Sequence, residues 1–395
     1  MSKKLNFMNQ INRLYIHVPF CQNKCDYCAF HSTPISDETL ISKYFIKLEN
    51  NIKNMRHLTA PLESIFIGGG TPTHLNTNDI EKLFTIILNN FTIAENAEIS
   101  IESNPESLTE EKINIIAGFA NRVSIGIQSF NKKHRTIIGR IGNNENINKV
   151  IERIIKYNIS NISVDLIYGI PTQTIEDWKE ELNSILKFPI KHLSAYALTT
   201  EEGSKLYLDK LPNSTNLDEI TAVMWHLTSE ILSELGFARY EISNYSSPGY
   251  ECIHNLNTWF GGTYLGLGPT ASSFDEKNRW TQPELNEWLR EKPPEIDHLS
   301  PQKRTIEIFI MGLRTTFGWI IERQKNANRL LYSQFPHKLL LKLTEWGEIE
   351  SKISVLNKNG LLKIEHINCK QMRIFPTEKG LLFWNEIALE LVSQI

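Results

Sequence analysis

Three cysteines, Cys21, Cys25 and Cys28, stand within eight positions directly after the run Tyr15-Ile16-His17-Val18-Pro19-Phe20. Thiolates spaced this way leave one short loop together, and thiolate is the usual ligand of iron–sulfur clusters. Three donors to a [4Fe–4S] cubane leave one iron without a protein ligand. A small molecule carrying an amino and a carboxylate group can chelate that iron, which brings an attached sulfonium close enough for one electron to cleave a carbon–sulfur bond. Two other readings compete. A structural zinc takes four ligands and would recruit His17 or His31 as the fourth. A redox dithiol of Cys25 and Cys28 leaves Cys21 unused.

The next chemistry-bearing string is Ile67-Gly68-Gly69-Gly70-Thr71-Pro72-Thr73. Glycines let backbone approach a ligand closely, but the Gly-Lys-Ser/Thr ending of a phosphate-binding loop is missing, and alone the string is also an ordinary turn. Further on, Glu102, Gln128 and Asp165 each fall where an apolar run ends, within Ile101-Glu102-Ser103-Asn104-Pro105, Ser124-Ile125-Gly126-Ile127-Gln128-Ser129-Phe130 and Asp165-Leu166-Ile167-Tyr168-Gly169-Ile170-Pro171. Each taken singly is equally readable as a surface residue.

The elements that must position these side chains are short β-rich runs at 13–18, 64–67, 98–101, 122–127, 162–167 and 192–197. Between them, 39–55, 79–88, 110–119, 146–157 and 175–186 carry apolar residues at helical spacing. Six alternating β/α units require a parallel sheet, whose functional residues lie on loops at the carboxyl ends of the strands. No G-x-G-x-x-G follows the first strand, so a curved, incomplete barrel is expected in place of a dinucleotide-binding sheet. A helix is expected over 216–235, then a Gly- and aromatic-rich platform over 240–274 and a linker at 291–301 containing Pro293 and Pro294. Beyond it, 303–313 and 329–346 read as helices and 361–375 as a small hairpin. The expected division is 1–200 for the partial barrel, 201–290 for an extension and 302–395 for a small, mainly helical, winged domain.

Composition bounds what such a molecule does. Among 395 residues, 41% are hydrophobic and 22% charged, the balance of a globular protein with a large core. Forty-two basic against 45 acidic side chains leave a formal charge of −3, which argues against dedicated nucleic-acid binding. Residues 1–14 hold Lys3, Lys4 and Arg13 without a secretory core, and no later stretch is apolar enough to span a membrane. With five cysteines, three of them crowded together, a reducing, cytoplasmic setting with a metal site is expected.

Taken together, the cysteine string with Tyr27 between its last two members, the glycine string, the three strand-end strings, 196–198 and Tyr240-Glu241-Ile242-Ser243-Asn244 resemble the oxygen-independent coproporphyrinogen oxidase family of radical S-adenosylmethionine proteins, most closely its HemW branch. The likeness runs through nearly the whole chain. It implies an incomplete (β/α)6 radical S-adenosylmethionine barrel, a [4Fe–4S] cluster on Cys21, Cys25 and Cys28, and S-adenosylmethionine held by Tyr15, Tyr27, Gly69, Gly70, Thr71, Glu102, Gln128, Arg140 and Asp165. Glu102 and Asp165 would accept hydrogen bonds from ribose or amino groups. Two features separate the branches: Phe30 stands where the oxidase carries a further cysteine, and only twenty residues precede Cys21 where the oxidase has a long arm.

The HemW branch implies a haem-binding chaperone that passes haem to respiratory proteins, with an electron donor serving the cluster. Its motif His-Asn-x-x-Tyr-Trp stands here as His254-Asn255-Leu256-Asn257-Thr258-Trp259. Thr258 replaces the tyrosine, and Ser272 and Gly142 replace histidines. His254 is the candidate axial ligand, since a neutral imidazole ligates haem iron, and Trp259 would be an apolar wall. The competing view makes His254 a residue satisfying a local hydrogen bond, and Cys252 is an alternative soft ligand. The competing activities are oxidative decarboxylation of coproporphyrinogen through a 5′-deoxyadenosyl radical, or other radical chemistry on a tetrapyrrole.

Overall fold

The computed structural model describes residues 11–34, 38–140, 144–185, 187–208, 215–323, 327–331 and 339–392. Gly142 lies outside the described residues. Each expected strand forms, bounded much as the apolar runs suggest: β1 (Ile11–Val18), β2 (Thr59–Gly69), β3 (Ile93–Ser103), β4 (Arg122–Gln128), β5 (Asn161–Tyr168) and β6 (His192–Ala197). All six run parallel in chain order. Three short strands extend this sheet: β7 (Ala238–Arg239), β8 (Asn244–Ser246) and β9 (Leu265–Leu267). The order is β9-β1-β2-β3-β4-β5-β6-β8-β7, with β9 parallel to β1, and β8 antiparallel to both β6 and β7.

The connecting helices start on side-chain caps. Asn76 accepts from the Asp79 N–H ahead of Thr77–Asn90, and Thr109 from the Lys112 N–H ahead of Glu110–Ala117. Their apolar stripes, such as Ile80, Leu83, Phe84 and Ile87, bury against one face of the sheet. That face presents Leu14, Ile16 and Val18 from β1, Ile65 and Ile67 from β2, and Val123, Ile125 and Ile127 from β4. Each such side chain contributes about 1.5–3 kcal/mol by leaving water. Because side chains alternate along a strand, the opposite face takes the residues between them, namely Tyr15, Ser64, Phe66, Ser100, Glu102, Arg122, Ser124, Ser163, Asp165, His192 and Ser194. A parallel sheet covered on both faces is normally apolar throughout. Here one face is polar.

Past β6, helix Thr215–Glu234 forms as expected. The expected linker at 291–301 differs: Glu295–Asp297 pairs with Arg279–Thr281, and helix Pro301–Gly312 starts on the Ser300 cap with proline in its first turn. The expected helix over 329–346 is also corrected. Strands Ala327–Leu331 and Leu339–Lys342 come first, and the helix covers Leu343–Lys358. A short apolar run cannot be told from a buried helix segment by spacing, and pairing with Trp319–Arg323 decides it. The hairpin at 361–375 forms from Leu362–His366 and Gln371–Pro376 and completes a five-stranded antiparallel sheet, so the wing is broader than a hairpin. A second core joins Tyr240, Leu256, Phe260 and Phe274 to Phe309, Trp319 and Ile374. Arg314 bridges the same regions, its guanidinium 4.6 Å from the Trp259 ring and 4.7 Å from that of Trp384.

Candidate functional site

The cysteine loop leaves β1 through Pro19 and is closed at its base by a two-residue parallel pairing of Phe20–Cys21 with Thr33–Pro34. Within it the Cys28 N–H donates to the Cys25 carbonyl at 3.1 Å, a turn that brings these two residues together. All three cysteines are free and half-buried. Burial pushes the Cys21 thiol up, and the Cys28 thiol up to about 11. Two of the sulfurs meet polar groups from elsewhere in the fold: Cys21 Sγ lies 3.5 Å from Thr71 Oγ1, and Arg140 Nη1 donates to Cys25 Sγ at 3.7 Å.

The glycine string serves this loop directly. Gly70 and Thr71 donate backbone N–H groups to Val18 O at 2.9 Å and Phe20 O at 2.7 Å. A Cβ on Gly70 would stand 2.6 Å from Phe20 O, and one on Gly69, whose φ is +111°, would meet the His17 ring at 2.6 Å. The glycines therefore let two loops lie side by side, a closer account than a simple turn. Gly69 N–H also donates to Glu102 Oε2 at 3.0 Å. Burial, reinforced by Asp165, raises the Glu102 carboxyl to about 7 despite that bond. Burial likewise raises Asp165, which accepts from Ser124 Oγ at 3.2 Å.

Gln128 has a φ of +69°, and the β4–β5 register shifts between Gly126 and Gln128. Such an irregularity at a strand end re-aims a side chain. Arg140 Nη2 donates to Gly126 O at 2.5 Å while Nη1 reaches Cys25. Tyr27 packs with Ile138, Ile167 and Ile170 on the other side of the loop. The residues around the cysteines thus form linked contacts through Thr71, Arg140, Gly69 and Glu102, with Gln128 at the β4 end. Sequence reasoning did not single out Asn104, whose Nδ2 donates to Thr71 Oγ1 at 2.9 Å.

Beside the loop lies a cavity of about 750 Å³. Tyr15, Glu102 and Asp165 line it, and so do His254, Thr258, Trp259 and Ser272. Phe30 stands at its edge, 70% exposed. The His254 ring is buried, its Nδ1 2.9 Å from Ser64 Oγ, and burial pushes its pKa down to about 3, so it is neutral. In the tautomer whose Nδ1–H donates to Ser64, the Nε2 lone pair is left for a ligand. Cys252 is not among the lining residues; its thiol donates to Glu98 at 3.6 Å, and burial raises it to about 12. Arg122, His192 and Ser194 also line the cavity and were missed, and so do Ser124 and Tyr196, which fall within the longer strings noted above but were given no site role there. Polar residues recur at every second position of strands otherwise rich in Ile, Leu and Val, an alternation that becomes a shared face only once the strands are in register.

The donor set fits a cubane better than a single ion. His17 Nδ1 is 3.0 Å from Tyr15 OH and its Nε2 3.0 Å from His31 O, while His31 Nε2 accepts from Leu285 N–H at 3.2 Å. Both proposed fourth ligands of a zinc site are therefore engaged. A [4Fe–4S] cluster takes one cysteine sulfur per iron beyond its own sulfides, so three thiols with no fourth side-chain donor among the described residues suit a cubane with one open iron.

Residues 15–185 match the model of the radical SAM superfamily. Among curated proteins, the chain is 30% identical over 402 residues to the heme chaperone HemW of Synechocystis, covering 96% of each chain. It is 31% identical to heme chaperone HemW of Lactococcus lactis, covering 95% of this chain and 96% of that one, and 31% identical to that of Bacillus subtilis, covering 87% and 93%. Its fold is that of the Escherichia coli coproporphyrinogen III oxidase HemN, a radical SAM enzyme, with a TM-score of 0.80 at 22% identity over 98% of this chain and 91% of that one.

Proposed function

Since the chain belongs to the HemW family of radical S-adenosylmethionine proteins, we propose that it is a haem chaperone, binding haem in the cavity beside the cysteine loop and handing it to acceptor proteins. The carrying observation is the placement of a neutral, Ser64-oriented imidazole, His254, in a cavity of about 750 Å³, a size suited to a large ligand. Membership in the superfamily implies a [4Fe–4S] cluster and S-adenosylmethionine. When bound, that pair supplies one-electron chemistry on a carbon–sulfur bond. Cys21, Cys25 and Cys28 would hold the cluster. Tyr15, Tyr27, Gly69, Gly70, Thr71, Glu102, Gln128, Arg140 and Asp165 would hold the sulfonium cofactor, with Thr71 and Arg140 placing donors near the sulfurs. Respiratory haem proteins as acceptors, an electron donor for the cluster and a cytoplasmic location belong to the same reading.

Titration of the purified protein with haem tests it. The expected result is a spectrum distinct from free haem that is lost or altered in His254→Ala; a free-haem spectrum in the unaltered protein would overturn the proposal. One feature favours a second reading, radical chemistry on the cavity's occupant: Tyr15, Glu102 and Asp165 line the same cavity as His254. Anaerobic turnover of reconstituted protein with coproporphyrinogen and reductant must then yield protoporphyrinogen, beyond deoxyadenosine alone.

A further inference from the structure

Arg122 opens β4 on the polar face of the sheet, in register with Ser100 of β3 and Asn161 of β5. It is 2% exposed and lines the cavity. A guanidinium brings five N–H donors into such a place. The hydrogen bond they form, Nη1 to Ser100 Oγ, is long at 3.4 Å, and the buried Nε has no partner. Among the described residues no carboxylate forms an ion pair with this guanidinium.

The acids around it are already engaged. Glu98 accepts from the Ile253 and His254 backbone N–H groups at 3.0 and 3.1 Å, and Asp165 from Ser124. They act on Arg122 through space: burial works against its charge, while Cys252, Glu98, Tyr240 and Asp165 more than offset that and raise its pKa. The side chain is a permanent cation with donors unspent. Burying such a charge with one long hydrogen bond and no ion pair is costly, which is a reason to look for a further partner in a ligand.

Arg122 lies two residues, or about 7 Å of strand, before Ser124, which is in register with Glu102. His192, likewise, precedes Ser194, the neighbour of Asp165. The cavity thus has two levels, an acidic one at Glu102 and Asp165 nearer the cysteine loop and a cationic one at Arg122 below it. Glu98, next to Arg122, fastens the helix carrying His254, so the cation and the imidazole belong to one end of the cavity.

Resting on the haem reading above, we propose that Arg122 is the anchor for a propionate carboxylate of haem, a further ligand-binding residue that fixes how the macrocycle enters. A planar guanidinium matches a carboxylate with two parallel N–H···O bonds, and charge-assisted bonds of this kind are the strong ones. The apolar ring contacts Phe66 and Trp259, available on the same lining, and the acid goes to the cation.

The test compares haem with haem dimethyl ester, whose propionates are uncharged, in spectroscopic titrations of the unaltered protein, Arg122→Gln and Arg122→Lys. Unaltered protein should bind haem about tenfold or more tighter than the ester. Arg122→Gln should bring the two affinities together by weakening haem alone, and Arg122→Lys should restore part of the preference. The ester comparison in unaltered protein needs no substitution, so it holds even if Arg122→Gln folds poorly. Equal affinity for both ligands in the unaltered protein, or an unchanged preference in folded Arg122→Gln, overturns the proposal while leaving haem binding intact. Loss of S-adenosylmethionine affinity in Arg122→Gln with the haem preference retained also overturns it, since the anion would then be the cofactor's carboxylate. If neither haem nor its ester binds, the chaperone reading itself falls.

Discussion

The backbone N–H of His254 donates to Glu98 Oε1 at 3.1 Å, so a buried carboxylate of β3 holds the first turn of the helix that brings the imidazole into the cavity. The same carboxylate accepts from Ile253 N–H at 3.0 Å and from the Cys252 thiol at 3.6 Å. Glu98→Ala leaves those donors without their partner and removes a nearby negative charge that favours the charged form of Arg122. Stability should fall by about 2–4 kcal/mol in denaturant titration, and an unchanged midpoint would show that water replaces the carboxylate at no cost.

Ser64 orients the His254 ring from β2 through Nδ1. If His254 ligates haem, Ser64→Ala should weaken haem binding by about tenfold while leaving the fold intact, because hydrogen bonds behind a ligand fix its orientation. The same affinity in the variant would count against His254 as the ligand.

A methyl group on Gly70 has no room beside the Phe20 carbonyl. Gly70→Ala should force the cysteine and glycine loops apart, costing about 1–3 kcal/mol of stability and lowering iron content after reconstitution. Normal melting with full iron would mean the backbone yields more easily than the geometry implies.

Cys25→Ala should abolish cluster iron and sulfide in anaerobically reconstituted protein, whereas Cys252→Ala should retain both, since that thiol faces Glu98. Full iron content in Cys25→Ala would remove the residue from the ligand set.

Glu102 has a folded-state pKa of about 7 against an ordinary 4.5. The folded protein therefore binds more protons than the unfolded chain between those values. Its contribution to stability is present below about 4.5 and is lost as pH rises through about 7. The melting temperature of Glu102→Gln should lose less than that of the unaltered protein across this window, measured without cofactor. Parallel curves would show that Glu102 titrates normally.

The strands were legible because β-branched runs such as 122–127 and 162–167 end at turn residues and leave little choice of conformation. The cysteine and glycine loops were legible from residue type and spacing. The cavity was not, because Ser64, Ser100, Ser124, Ser163 and Ser194 each look unremarkable alone, and their shared face exists only once the strands are in register. Arg140 reaches Cys25 from twelve residues past Gln128, a distance that no local pattern encodes. The small strands failed for another reason. Leu265–Leu267 and Leu339–Lys342 are too short for periodicity to speak, and pairing decides their conformation, with distant β1 for the first and with Ala327–Leu331 for the second.

The pairing of β9 with β1 joins residues 265–267 to a strand that begins at residue 11, roughly 250 residues earlier. At about 5–20 residues per second of synthesis, the outer edge of β1 waits roughly 10–50 s on the ribosome for its last neighbour. Throughout that interval the thiols just beyond β1 are carried by a nascent chain whose sheet is still unfinished. A chain stalled or truncated before residue 265 would carry those thiols beside a β1 edge that still lacks its last neighbour.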